Sequence, residues 1–350
     1  MPWKSLQVGY NGSNTPLLES SMPSQRTSLT RGYTIALISA AILSTTAIFI
    51  RYLTQTFHMP PLVLAFWRDT FVVLTLLPIL LIFHRPWLSI RRAHLFYLLA
   101  YGLVLAVFNS LWTLSVSLNG AAVSTVLAYC SAGFTALLGW WFLNESLNWA
   151  KLVAIVLTIG GCVLVSDALD PNAWINNLVG ILTGILSGLL YAIYSLMGRS
   201  ASQRGLNPWT TLLFTFGFAA IFLLLVNFLP TGLLPGTAST PADFLWLGDS
   251  LAGWSVLFAL AAGPTVLGFG LYNVSLGYLP SSVANLILTL EPAFTAAIAY
   301  FLLGERLSGT QIFGSLMIVS GVVFLRIYEG RTAGQDASSQ AASLPAPGIE

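Results

Sequence analysis

Three ionisable side chains interrupt long apolar stretches of the sequence: Arg68, Asp69 and Glu291. If such a stretch crosses a membrane, a charged group at its centre costs at least about 2.5 kcal/mol, so it usually faces the protein interior or a water-filled cavity. Glu291 is therefore a candidate to contact an amine or to exchange a proton, and Arg68 is a candidate counter-charge for a carboxylate. The structural alternatives are a hydrogen bond from Glu291 to a neighbouring helix, and an ion pair between Arg68 and either Asp69 or Glu291.

A wider set of uncharged polar and aromatic side chains lies in the same kind of stretch. Buried amides need hydrogen-bond partners, and aromatic rings line pockets for apolar or cationic ligands, although many such rings only pack or anchor a helix at the membrane surface. The wider set is Trp67, Asn109, Trp112, Tyr129, Tyr191, Tyr194, Tyr272, Asn273 and Asn285. From it we predict contacts with a small-molecule ligand, alongside Arg68 and Glu291, for Trp67, Asn109, Trp112, Tyr272 and Asn273.

The elements that position these side chains are predicted to be transmembrane helices. Apolar residues make up 56% of the chain and charged residues 7%, whereas charged residues make up roughly 25% of a soluble domain. A spanning helix needs about 20 largely apolar residues. We predict an all-α membrane protein with disordered polar tails at 1–31 and 328–350 and ten spans, near 33–51, 61–83, 95–116, 120–143, 150–166, 177–198, 208–229, 252–274, 280–303 and 309–327.

Composition also argues against several classes of function. The net charge of +2 is too small to indicate nucleic-acid binding. Cys130 and Cys162 lie in apolar runs as small packing residues, and the three histidines lack the spacing of metal ligands. No Walker A sequence or convergent catalytic set is found within the predicted spans, so we expect no bound cofactor or metal, no ATP drive from this chain and no enzymatic activity.

The basic residues set the orientation of the spans, because cytoplasmic loops carry an excess of Lys and Arg. With a cytoplasmic N-terminus, eleven basic residues fall on the cytoplasmic side and only Arg51 and Arg306 fall outside. We therefore predict that both termini are cytoplasmic and that the chain lies in the inner or plasma membrane of the cell.

The two halves of the chain are related by an internal repeat. At an offset of 160 residues, Phe134-Thr135-Ala136 falls on Phe294-Thr295-Ala296, and Leu143-x-Glu145-x-Leu147 falls on Leu303-x-Glu305-x-Leu307. Trp112 falls on Tyr272 at the same offset, which favours the third and eighth spans as ligand-binding elements. Glu145, Glu305 and Arg306 sit at repeat-related helix ends, where we favour helix capping or another structural contact.

Five spans in each half give an inverted repeat. An odd number of spans makes the second half enter the membrane in the opposite orientation, so that a pseudo-two-fold axis lies in the membrane plane. Such a pair of halves can open toward either side of the bilayer, which is the physical basis of alternating access. The predicted halves cover 32–166 and 176–327.

The segment Glu291-Pro292-Ala293-Phe294-Thr295-Ala296, followed by Phe301-Leu302-Leu303-Gly304-Glu305-Arg306-Leu307, resembles the second EamA domain of the drug/metabolite transporter superfamily. Leu143-Asn144-Glu145-Ser146-Leu147 resembles the matching element of the first domain, and Arg68 resembles a basic residue often found in the second helix. The resemblance implies a central cavity between the halves, surrounded by helices one to four and six to nine, with helices five and ten outside. It also implies a carrier for amino acids, other metabolites or drug-like compounds, commonly outward.

The expected function is therefore a secondary transporter that moves a small molecule across the lipid bilayer, with possible proton coupling at Glu291. A passive channel or facilitator and a lipid-handling membrane protein remain as alternatives, since a channel could also be built from a duplicated unit.

Overall fold

A computed structural model of the chain describes residues 22–143, 148–165, 169–229, 234–275, 278–279 and 287–343. Helices and turns account for the structure in these ranges, which contain no strand. Among the predictions above, those for Glu145 and Asn285 and for the outer parts of the tails, 1–21 and 344–350, lie outside the described residues.

The first half of the chain forms seven α-helices within the described ranges. A break at Ser44 divides the first span, and a turn at 129–130 divides the fourth. The helices are α1 (Met22–Leu43), α2 (Thr45–Thr56), α3 (Pro61–Phe83), α4 (Arg92–Asn119), α5 (Ala121–Ala128), α6 (Ser131–Leu143) and α7 (Trp149–Val165).

The second half adds six α-helices and a π-helical segment to the described structure. The π-helix, Ala261–Gly268, joins α10 to α11 within one apolar helical stretch, Leu251–Ser275. The helices are α8 (Pro171–Gln203), α9 (Pro208–Asn227), α10 (Leu251–Leu260), α11 (Phe269–Ser275), α12 (Glu291–Leu303) and α13 (Gly309–Ser343).

Length and composition mark this as a membrane-type helical fold. Seven helical stretches in the described residues are long and apolar enough to cross a bilayer, and three shorter apolar helices accompany them. The helical backbone reaches into both predicted tails, since α1 begins at Met22 and α13 ends at Ser343. Pro23 stands in the first turn of α1, where its missing N–H costs least.

The helices of the predicted fifth and tenth spans form a pair, α7 and α13, that pack mainly on each other. Their backbones meet at two glycines: a Cβ added to Gly161 would lie 2.5 Å from the carbonyl oxygen of Gly314. Membrane helices have no hydrophobic driving force to associate, so van der Waals packing holds them together, and small residues allow the close approach that this packing needs.

A short loop structure closes one end of the bundle between α9 and α10. The indole N–H of Trp67 donates to the carbonyl of Phe244 over 2.6 Å, and that of Trp246 donates to the carbonyl of Phe57 over 2.8 Å. Asn227 adds a third tie, because its side chain accepts from the backbone N–H of Ala238 and donates to the carbonyl of Leu62. The loop is therefore fastened to α3 and to the end of α2.

Candidate functional site

One cavity in the described structure lies between helices of both halves. It is lined by α1 to α5, α8, α9, the π-helix, α11, the start of α12 and the segment just before it. The residues around it are Leu43, Thr46, Arg68, Leu105, Phe108, Asn109, Trp112, Thr125, Ala128, Tyr129, Tyr191, Tyr194, Phe216, Thr265, Phe269, Leu288 and Glu291.

Helix breaks surround this cavity. Ser44, Thr45 and Thr46 each donate a side-chain hydroxyl to the carbonyl three residues earlier, which competes with regular helix bonding where α1 meets α2. In the predicted eighth span, Pro264 lies inside the π-helix. Proline lacks an N–H and crowds the carbonyl one turn earlier, so it disturbs regular α-helical bonding there. Thr46 and Thr265 place these two breaks on the cavity wall.

Two further breaks occupy repeat-related positions. Turns interrupt the fourth span at 129–130 and the approach to α12 at 289–290, which are separated by the offset of 160 residues. The sequence predicts continuous helices at 120–143 and 280–303, so these interruptions correct that prediction. In the second half the reason is visible, because Pro292 has no N–H and takes a position in the first turn of α12.

The two repeat-related breaks meet at the cavity. The Tyr129 hydroxyl lies 2.8 Å from the carbonyl oxygen of Leu288 and 3.0 Å from Oε2 of Glu291. One hydroxyl has one proton, and both neighbours are acceptors when Glu291 is ionised. Tyr129 can therefore donate to an ionised Glu291, or it can donate to Leu288 while a Glu291 that carries a proton donates to Tyr129.

A second polar group on the cavity wall is held together as a network. Nε and Nη2 of Arg68 donate to Oδ1 of Asp69 over 3.2 and 3.1 Å, and Nδ2 of Asn109 donates to both carboxylate oxygens of Asp69 over 3.0 and 2.7 Å. Only 3% of Arg68, 0% of Asp69 and 2% of Asn109 is exposed. The network neutralises the positive charge of Arg68 inside the protein.

Aromatic rings form much of the remaining wall. Phe108 lies 5.3 Å from Tyr191 between ring centroids, and Tyr191 lies 6.2 Å from Tyr194. The guanidinium carbon of Arg68 lies 5.8 Å from the ring centroid of Trp112. The indole N–H of Trp112 has no hydrogen-bond partner among the described residues, so it is a donor left over on this wall.

The family is decided by comparison with known proteins. The model of the EamA-like transporter family matches residues 30–167 and 178–327 of this chain. The chain belongs to the EamA-like transporter family. Its members are transporters, and this EamA-like chain accordingly has the apolar helices of an integral membrane protein.

Individual relatives of this EamA-like chain resemble it over most of their length. A probable amino-acid metabolite efflux pump of Salmonella typhimurium is 28% identical over 268 residues, which are 76% of this chain and 85% of the relative. An S-adenosylmethionine uptake transporter of Rickettsia bellii is 24% identical over 269 residues, 77% of this chain and 84% of the relative. A known crystal structure shares the fold, with a TM-score of 0.54 and 17% identity over 87% of this chain and 98% of that one.

The seven residues predicted to contact a ligand divide into two groups. The cavity brings together Arg68, Asn109, Trp112 and Glu291. The described lining does not include the other three, which have different contacts: the indole N–H of Trp67 fastens the loop at Phe244, and the amide of Asn273 donates to the carbonyl of Phe269 in its own helix. Tyr272 lies beside Asn273 in α11 and is half-buried. Direct ligand contact by these three stays a prediction.

Sequence reasoning missed several residues of the cavity wall. Thr46 ends a Ser-Thr-Thr run, and Thr265 follows a proline inside an apolar stretch, so each had a local signal. Phe108, Phe216 and Phe269 had none, because a phenylalanine on a cavity wall and one in contact with lipid look alike in sequence.

Glu305 has the structural contact that we favour from sequence. Its carboxylate accepts the backbone N–H groups of Ala121 and Ala122 over 2.9 and 3.1 Å, and it pairs with Nε of Arg51 at 3.3 Å. These N–H groups open α5, where the positive end of the helix dipole favours an anion. Gly120 has a φ of +89°, and a Cβ there would lie 2.8 Å from the carboxylate, so glycine leaves room for this cap.

Proposed function

We propose that this chain is a secondary transporter that carries small metabolites with an amino group across the membrane by alternating access. The observation that supports this most directly is the meeting of the two repeat-related helix breaks at the Tyr129–Glu291 contact. Discontinuous helices from two inverted repeats are the usual frame of a carrier's binding site near the bilayer midplane.

The arrangement of α5 and α12 supports the inverted repeat. The end of α12 near Glu305 contacts the start of α5 at Ala121, whereas the start of α12 at Glu291 contacts the end of α5 at Tyr129. α5 and α12 belong to the repeat-related fourth and ninth predicted spans, so the contacts support an antiparallel arrangement of these two spans, as an inverted pair requires. We accordingly propose ten spans in two five-helix halves, 32–166 and 176–327, between cytoplasmic tails. The two segments matched by the family model and the three shorter apolar helices support this division.

The substrate class follows from the relatives and from the cavity. The relatives' names refer to amino-acid metabolites and to S-adenosylmethionine, both of which carry an amino group. One name describes efflux and the other uptake. We propose a reversible carrier in the inner or plasma membrane, with net flux set by the gradients of substrate and proton.

Glu291 is the proposed site of proton coupling. Its carboxyl lies where the two repeat-related helix breaks meet, and its contact with Tyr129 is satisfied when it carries a proton. Substrate and proton would then compete for one group, so that movement of one drives the other. Arg68, Asn109 and Trp112 complete the proposed substrate site.

The test is counterflow in proteoliposomes that contain the purified full-length chain. Vesicles loaded with an unlabelled amino acid are diluted into a trace of the same labelled compound, for a panel of amino acids, with and without a pH gradient. A carrier gives a transient accumulation of label inside, because bound substrate crosses in exchange. A channel gives simple equilibration, which would reject the carrier.

The matched variants for this assay are Glu291→Gln and Asp249→Asn. Both remove one carboxylate, but Asp249 lies exposed in the loop before α10. We expect Glu291→Gln to lose the effect of the pH gradient and Asp249→Asn to retain it. Unchanged gradient-driven transport in a folded Glu291→Gln protein would reject proton coupling at this residue.

A further inference from the structure

The two charged side chains on the cavity wall differ in whether a partner within the protein already pairs with them. Two of the described lining residues are charged types, Arg68 and Glu291. Arg68 is 3% exposed and gives two hydrogen bonds to Asp69, which is itself 0% exposed. Glu291 is only partly buried, and a tyrosine hydroxyl is its hydrogen-bond partner rather than a cation. Inside the protein the positive charge is therefore balanced, and the carboxyl is the group left for a ligand.

The uncharged wall favours the same sign of ligand. Seven of the lining residues are aromatic: Phe108, Trp112, Tyr129, Tyr191, Tyr194, Phe216 and Phe269. The faces of such rings attract a cation, most strongly where the contact is desolvated. Aromatic rings also pack against apolar groups. The same wall can therefore hold both the charged end and the apolar part of an amine.

We propose that the cavity selects its substrates by a cationic amine, which replaces a proton on Glu291, and that a carboxylate on the substrate is not required. This inference rests on the proposed transporter function and narrows its substrate class, from amino acids to amines in general. The Arg68–Asp69–Asn109 network then has the role of a neutral wall and not of a carboxylate receptor.

The exchange balances in charge. A neutral Glu291 carboxyl and a cationic amine in water become an ion pair in the cavity and one proton released to water. The other titratable groups that line the cavity are Tyr129, Tyr191 and Tyr194, besides the Arg68–Asp69 pair. Arg51 of α2, a helix that packs against α12, forms an ion pair with Glu305 beyond the opposite end of α12 from Glu291. Glu291 is thus the group in this cavity from which the proton would leave.

Three compounds with one apolar body test this inference: phenethylamine, phenylalanine and 3-phenylpropionate. The first has only the amine, the second has both charged groups, and the third has only the carboxylate. Binding is measured by calorimetry with the full-length protein in detergent, because neutral phenethylamine would leak through vesicle membranes. Titration in two buffers of different ionisation enthalpy gives the number of protons released.

We expect phenethylamine to bind at least as tightly as phenylalanine, with release of one proton, and 3-phenylpropionate to bind at least about tenfold more weakly. If phenylalanine binds and phenethylamine does not, the inference is overturned. Arg68 and the indole N–H of Trp112 would then be the groups that bind a substrate carboxylate. That result would leave the transporter proposal standing, since counterflow of amino acids tests it separately. Failure of counterflow for the whole panel would reject the transporter proposal itself.

Two variants sharpen the assignment to Glu291. Glu291→Gln should weaken the binding of phenethylamine by about tenfold or more, the usual effect of losing a charge-assisted hydrogen bond. It should also abolish the release of a proton on binding. Glu291→Asp keeps the charge and should keep proton release even if affinity falls. Asp249→Asn is the surface control and should match the wild type. Proton release that survives in Glu291→Gln would overturn the role of Glu291.

Discussion

Arg68 and Asp69 are consecutive residues of α3, and consecutive side chains on a helix point about 100° apart. The long guanidinium nevertheless folds onto its neighbour's carboxylate, and Asn109 of α4 completes the carboxylate's hydrogen bonds. A charge pair that looks local in sequence therefore ties two helices together beside the cavity. Its burial makes it sensitive to the loss of one partner.

We predict that Arg68→Ala destabilises the protein by about 3–5 kcal/mol, because it leaves the Asp69 carboxylate buried without a counter-charge. The measurement is the free energy of unfolding of the purified protein in detergent. The double variant Arg68→Ala/Asp69→Ala removes both charges and should recover a large part of this loss. If the single variant is as stable as the wild type, the pair does not hold α3 in place.

At the scale of elements, the start of α5 depends on a carboxylate from the other half of the chain. The first N–H groups of a helix have no partner within the helix, and those of Ala121 and Ala122 bond to Glu305, 184 and 183 residues away in sequence. Arg51 pairs with the same carboxylate and also donates to the carbonyls of Val116 and Ser117. Three segments are thus joined at one carboxylate.

Glu305→Gln should weaken this junction by about 1.5–3 kcal/mol, the range for hydrogen bonds to a charged group. We expect faster hydrogen exchange of the backbone amides at 121 and 122, with little change in α9 as the internal reference. Glu305→Asp shortens the side chain but keeps the charge, so it distinguishes the effect of side-chain length from the effect of charge. Unchanged exchange at both amides in Glu305→Gln would show that the carboxylate is not the cap.

The loop between α9 and α10 contains a titratable contact outside the spans. The backbone N–H of Thr240, assisted by that of Ser239, bonds to the Asp243 carboxylate and lowers its pKa from the ordinary value of 3.8. Because the pKa is lower in the folded loop, this stabilisation is fully present above the unfolded pKa and is lost as the pH falls through the folded value.

We therefore expect Asp243→Asn to melt at a lower temperature than the wild type at pH 7. The difference should shrink as the pH falls below 3.8, when Asp243 in the wild type becomes neutral as well. Thermal unfolding of both proteins across this pH range measures it. A difference between the two proteins that stays constant with pH would mean that ionisation of Asp243 does not support the loop.

Hydrophobic runs predicted the existence of the helices, but not where they break. A count of apolar residues passes smoothly through Tyr129-Cys130, where the backbone turns because the amides bond three residues back. Pro292 and the Ser44-Thr45-Thr46 run carried a local signal, and the repeat offset could have transferred the break near Pro292 to the first half. Among the residues of the cavity wall, Arg68, Asn109 and Glu291 were predicted from sequence, whereas Thr46 and Thr265 were not, and selection among the aromatic residues required the packing.

At the scale of the whole molecule, two serines in loops on either side of the bundle offer a test of the proposed inversion. Ser89 follows the second proposed span and Ser239 follows the seventh, and both side chains are exposed. Five spans separate them, so the proposal places Ser89 in the cytoplasm and Ser239 outside. The native cysteines, Cys130 and Cys162, are buried at 2% and 5% exposure and should give little background with a thiol reagent.

We predict that an impermeant maleimide labels Ser239→Cys in intact cells and labels Ser89→Cys only after the membrane is opened. The two substitutions are chemically identical, so each serves as the other's control. Labelling of both from outside would mean an even number of crossings between them, and the halves could not then be inverted. The opposite pattern would keep the inversion but turn the molecule over, which would place the Glu305 junction at the cytoplasmic face. Because the orientation rests on the distribution of Lys and Arg while the inversion rests on the antiparallel α5–α12 contact, this one experiment tests the two arguments separately.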